Sequence, residues 1–304
     1  LLILLPILLG VYRRYGIWWT PPWGTGPAGP GVSVEPFRRA WREGPVLLFG
    51  LGDSITRGFG GIEHEGRERG YLDLVAHNLD AHYPDMRGKD LAAVLPGMRI
   101  LNHACDFTIS KEHLRWLRAM PAQAPDVFGI VCVSTGGNDL IHFYGREPPT
   151  ADGMYGATLG QARPWIEGFR QRLDDILDAV GEKFPGGCEI FLLNIYDPTD
   201  GVGDIENANV PLPAWPDGLK LLDAYNRILR EAADARRNVR LVDLHGLFLG
   251  HGIHCRDRDH PHYDAKDPHY WYTWILEDPN ARGHDALRRL VLLKMIEVLA
   301  PDDG

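Results

Sequence analysis

The chain has 304 residues, 44% apolar and 24% charged, which is the balance of a globular protein with room for a large core. Its formal net charge is −9, and the only basic stretches are short helix faces such as Arg288-Arg289. That excludes a general nucleic-acid binder, which needs a local surplus of Lys and Arg. The four cysteines are too few for a disulfide framework, and Cys132 and Cys188 sit in or beside apolar runs, as buried thiols do.

The first twelve residues are apolar and run into Arg13-Arg14, followed by Trp18, Trp19 and Trp23. Twelve residues fall short of the roughly 20 that a membrane span needs, and the chain does not start with Met. Residues 1–19 therefore read as the end of a truncated membrane anchor, with a signal segment as the alternative. Residues 20–44, dense in Pro and Gly, read as a tether. The expected setting is a membrane-anchored protein of the cell envelope or extracytoplasmic space, its orientation open.

From residue 45 onward, apolar runs of strand length alternate with helical periodicity. Strands are predicted over 46–51, 98–103, 127–133, 189–195 and 239–244. Helices are predicted over 70–83, 111–120, 161–184, 219–233 and 281–299, the third with Trp165, Phe169, Leu173, Ile176, Leu177 and Val180 on one face. This alternation argues for an α/β fold with a parallel five-stranded sheet in flavodoxin-like order and helices on both faces, three layers in all. Residues 45–304 read as one domain, with a His- and Asp-rich insertion at 249–276.

Two of the strands end in loops that can carry chemistry. The first runs into Gly52-Asp53-Ser54-Ile55-Thr56, and the third into Ser134-Thr135-Gly136-Gly137-Asn138-Asp139. Open α/β sheets bind ligands beyond the carboxyl ends of their strands, glycines admit close approach, and an Asn amide can donate to developing negative charge. Together the two blocks resemble the SGNH (GDSL-type) hydrolase family. The resemblance implies that Ser54 is the nucleophile and that Ser54 N–H and the Asn138 amide are oxyanion donors. It also implies a substrate-facing setting for Asp53, Gly137 and Asp139.

The family pattern breaks in two places. The second block of the family puts a glycine N–H at the oxyanion hole; the matching segment 102–108 has Phe107 there, which still has an N–H but would be strained at positive φ. Asp106 beside it is expected to point away or to bond locally. The family's Asp-x-x-His-Pro before the last helix is matched by Ile275-Leu276-Glu277-Asp278-Pro279, with Asp278 in the position of the histidine. A carboxylate is ordinarily a weak base for serine, so Asp278 reads as a helix cap or an orienting acid.

The base is then expected from the insertion. His269 is the first choice, followed by His260 in the literal Asp257-Arg258-Asp259-His260-Pro261, with His251, His254 and His262 as alternatives. His284 reads as structural. The His-rich stretch and the turn at 197–204 also offer metal-like donors, but neither has a recognised ligand spacing, and no metal or cofactor is expected. Asp197 and Asp200 are expected at the substrate rim. The expected activity is hydrolysis of a carboxylic ester, a glycan acetyl ester or a lipid acyl ester, through an acyl-enzyme on Ser54. A degenerate ester- or glycan-binding protein and a metal-dependent phosphoesterase are the alternatives.

Overall fold

A computed structural model describes residues 27–301. In chain order its elements are β1 (Val46–Leu51), α1 (Ser54–Arg57), a hairpin of β2 (Ile62–His64) and β3 (Arg67–Arg69), α2 (Tyr71–Ala76), α3 (Leu91–Val94) and β4 (Arg99–Asn102). There follow α4 (Ser110–Ala119), β5 (Phe128–Val133), α5 (Gly137–Ile141), α6 (Leu159–Lys183), β6 (Cys188–Leu193), α7 (Gly218–Asp234), β7 (Val239–Val242), α8 (Leu244–Phe248) and α9 (Ala281–Leu299). The five long strands form one sheet in the order β4-β1-β5-β6-β7, with every neighbouring pair parallel. This is the flavodoxin-like order expected from the alternation.

The sheet is covered on both faces, and its inner strands are apolar at nearly every position, Glu189 in β6 being the exception. Leu47, Phe49 and Leu51 join one core with Val131, Val133, Ile190 and Leu192, against residues of α4, α6 and α7. Val46 and Leu48 point the other way, with Ile130, Cys132, Phe191 and Leu193, against α2 and α9. The period-2 alternation of a strand separates the two sets. The edge strand β4 is exposed along its whole length, with Ile100 at 44% and Leu101 at 39%.

Helix α6 starts at a capping box between Thr158 and Gln161, and its buried face carries Phe169, Leu173, Ile176, Leu177 and Val180. Helix α2 is shorter than its periodicity predicts. After His77 the Asn78 amide bonds Asp80 Oδ1 and the Tyr83 carbonyl, which draws the chain into a turn.

The expected anchor at residues 1–19 lies outside the described residues. Of the expected tether, residues 27–44 lie against the domain. Ala28, Val32, Phe37 and Trp41 are buried in the core, and Ala28 N–H donates to Asp285 at 2.8 Å. Apolar side chains at these four positions give the segment a face to bury despite its Pro and Gly content. Among the described residues, no helix is long and apolar enough to cross a membrane. Cys132, Cys188 and Cys255 are buried free thiols, and Cys105 is exposed.

Candidate active site

The site forms where β1, β5 and β6 end. Asp53 caps α1, accepting from Ile55 N–H, and also accepts from Ser134 Oγ at 2.7 Å. Ser134 Oγ in turn meets Thr56 Oγ1 at 2.8 Å, and Thr56 Oγ1 meets Tyr71 OH at 2.9 Å. This buried chain of hydroxyls fixes the turn that presents Ser54, which is partly exposed at the start of α1. Gly52, with φ 151°, passes so close to Ser134 that an added Cβ would lie 2.2 Å from its Oγ. Burial raises the Asp53 carboxyl to about 6 against the pull of its hydrogen bonds.

Asn138 sits in the first turn of α5, lines the cavity, and donates one amide N–H to the Thr108 carbonyl at 2.9 Å, leaving its second N–H for a ligand. Gly137 lines the cavity too, but Asp139 does not. Asp139 is buried beneath it, accepting from Ser110 N and Oγ and from Arg172, and so ties α4, α5 and α6 together. Phe107 has φ 63°, the left-handed conformation that suits the family's glycine, and its ring is exposed. Asp106 bonds Arg57 Nε at 2.5 Å.

Asp278 is brought to Ser54. A turn over residues 272–279, closed by a bridge between Tyr272 and Pro279 and by Thr273 N–H on the Asp278 carbonyl, carries it there. The Asp278 side chain lies near enough to Ser54 for that side chain to lower its pKa, is 2% exposed, and its Oδ1 has no partner among the described residues. Burial raises its carboxyl to about 8; the Ser54 interaction pulls down, and the charges of Glu277, Asp53 and Asp106 push further up. The helix cap expected of Asp278 is made by Asn280 instead. Asn280 Oδ1 accepts from Arg282 and Gly283 N–H, while its amide donates to the Tyr270 and Tyr272 carbonyls. Asp278 lies two residues too early to reach those N–H groups.

The expected histidines are not brought to Ser54, and no histidine lines the cavity. His269 Nδ1 pairs with Asp267, which is also held by Arg282. His260 packs among His254 and His262, and His254 bonds Asp204 at 3.0 Å. His251 lies flat on Trp271, ring centroids 3.4 Å apart. His284 is buried, accepting at Nδ1 from Tyr71 N–H and donating at Nε2 to the Phe59 carbonyl, and burial lowers it to about 4.

Asp200 explains where the insertion goes. It accepts from the N–H groups of Gly250, Gly252 and His254 and so fastens the insertion to the turn after β6. Asp197 accepts from Thr199 and Gly201 within that turn. Both carboxylates are buried and committed to backbone groups, and neither lines the cavity where a substrate rim was expected. Among the described residues, no group of three or more His, Cys, Asp or Glu side chains is arranged to hold a metal ion.

The cavity has an empty volume of about 810 Å³, open solvent included. Its wall is mostly apolar, with Ile141, Leu193, Ile195, Ile205 and Leu212, and three tyrosines, Tyr144, Tyr155 and Tyr196. The sequence reading missed these, and it missed Glu277 as a lining residue. Tyr196 OH donates to the Glu277 carbonyl. Burial, with Asp53 and Asp106, raises the Glu277 carboxyl to about 7.

Among solved structures the chain is similar to LAE5, an α/β hydrolase enzyme from the metagenome of Lake Arreo in Spain, at 18% identity and TM-score 0.50, covering 87% of this chain and 99% of that one. Weaker likenesses include the lipase Lip_vut3 from a goat rumen metagenome, at 16% identity and TM-score 0.49 over 82% of this chain and 97% of that one. Axe2, an acetylxylan esterase from Geobacillus stearothermophilus, gives 17% and 0.47 over 86% and 97%. At these identities the likeness to LAE5 speaks for the fold. No curated protein matches the chain. The model of the GDSL-like lipase/acylhydrolase family matches residues 51–286, from the end of β1 into α9, and the chain belongs to that family.

Proposed function

We propose that the protein is a serine ester hydrolase in which Asp278 takes the place of the imidazole. The observation that carries this reading is a buried carboxyl at Ser54 whose pKa is raised to about 8. A general base works best when its pKa lies near the working pH, and burial has moved this carboxyl from 3.8 to about 8, past the roughly 6.5 of an ordinary histidine. Above that pH, Asp278 accepts the Ser54 proton as Oγ bonds to the ester carbonyl carbon. The N–H groups of Ser54 and Phe107 and the free N–H of Asn138 then face the oxyanion; losing one such donor typically costs about 10²–10³ in kcat. Collapse expels the alcohol, which takes its proton from Asp278, and water repeats the sequence on the acyl-enzyme.

A second reading, ester binding without turnover, is favoured by the absence of an imidazole from the cavity wall. One experiment separates the two. Hydrolysis of p-nitrophenyl butyrate is followed from pH 6 to 10 alongside labelling by a fluorophosphonate. We expect kcat/KM to rise through about pH 8, Ser54→Ala to abolish hydrolysis and labelling, and Asp278→Asn to lose roughly 10²–10⁴-fold. Asp278→His should move the rising limb toward about pH 6.5. No hydrolysis and no labelling at any pH would leave the binding reading.

A further inference from the structure

The charge of the cavity wall is one-sided. Among the described residues, Asp53 and Glu277 line it and no Lys, Arg or His does. Behind Ser54, Asp278 Oδ1 and Glu277 Oε2 are buried with no hydrogen-bond partner among the described residues. In the surrounding network Arg57 is taken up by Asp106 and Glu68. A site that must stabilise an oxyanion is thus ringed by carboxyl groups, an arrangement that opposes the charge it has to develop. Positive charge brought by the substrate would relieve that opposition. Three tyrosines, Tyr144, Tyr155 and Tyr196, stand in the same wall, and ammonium groups favour aromatic surroundings.

We propose that the cavity takes an ester whose alcohol part carries an ammonium group, and that Glu277 selects it. The inference rests on the acyl-transfer reading above, which also fixes the side. The departing alcohol oxygen must lie at Asp278 to receive a proton, and Glu277 is the adjacent residue, its charge felt by Asp278. The apolar wall of Ile141, Leu193, Ile195, Ile205 and Leu212 is left for the acyl group.

The test uses binding, so that it does not depend on turnover. Ser54→Ala protein is titrated calorimetrically at pH 8.5 with acetylcholine and with 3,3-dimethylbutyl acetate, which has the same shape without the charge. Acetylcholine should bind about tenfold tighter, the size expected of a partly desolvated ammonium. Adding Glu277→Gln should bring the ratio near one, and Glu277→Asp should keep most of it, which a merely structural role would not do. Equal affinities, no binding of acetylcholine, or a ratio indifferent to Glu277→Gln would overturn the proposal. A charge preference in Ser54→Ala, with no hydrolysis of any ester by the intact protein, would sink the hydrolase and leave the selectivity standing.

Discussion

Asp278 joins the proposed base and a cost to stability in one carboxyl. Its ordinary value of 3.8 is raised to about 8, so the folded protein keeps a proton that the unfolded chain gives up. Folded protein therefore binds more protons than unfolded protein between about pH 4 and 8, and stability falls as pH rises through that window. Glu277, raised to about 7, and Asp53, raised to about 6, act in the same direction over the lower part of it. Asp278→Asn removes the ionisation and keeps the shape. At pH 8.5 it should raise Tm by several degrees, corresponding to about 1–3 kcal/mol, and the gain should vanish near pH 4; differential scanning calorimetry at the two pH values decides. An unchanged Tm at pH 8.5 would mean that Asp278 ionises freely in the fold. Asp278 was visible in the sequence as the residue standing in the histidine's position. What makes it a candidate base was not visible, because the raised pKa comes from burial near Asp53 and Asp106, which are remote in the chain.

The five long strands and the long helices were legible because each carries a periodic pattern along its own length. β1 at Val46–Leu51 and α9 at Ala281–Leu299 fall where their patterns predict. The insertion was not legible. His269 and His260 were sensible candidates by composition, but their placement is decided by Asp267, Arg282 and above all Asp200, whose contacts cross from the turn after β6. The apolar wall escaped for the same reason, since Ile141 at the end of α5 and Ile205, Leu212 and Ile275 come from segments far apart in the chain. The loop between β4 and α4 gives a test at this scale. Phe107 is held at φ 63° with its ring 66% exposed, so it has strain and little burial to offset it. The left-handed conformation costs a non-glycine residue roughly 1–2 kcal/mol. Phe107→Gly should leave the urea midpoint unchanged or raise it by up to about 1 kcal/mol in stability, whereas β-branched Phe107→Val should lower it by about 1 kcal/mol. A glycine variant clearly less stable than the parent would show that the Phe107 ring earns its place by contacts.

On the scale of the whole molecule, the site is closed by contacts between the two ends of the chain. His284 on α9 holds the Phe59 carbonyl just after α1, two residues 225 positions apart in the sequence, and the turn carrying Asp278 precedes α9 directly. Ser54 is among the first parts of the domain to be made and its partner carboxyl among the last. Long-range parallel pairing is slow to form, because loop-closure entropy is lost before the contacts that reward it exist. The protein should therefore be chemically silent through most of its own synthesis. A refolding chain should regain fluorophosphonate reactivity only in its final kinetic phase, together with the fluorescence change from burial of Trp271, which adjoins that turn. Reactivity recovered in an earlier phase would show that Ser54 needs nothing from the carboxyl-terminal end. A ribosome-bound chain lacking α9 should likewise remain unlabelled, so that the reactivity proposed for Ser54 arises only once α9 has been made.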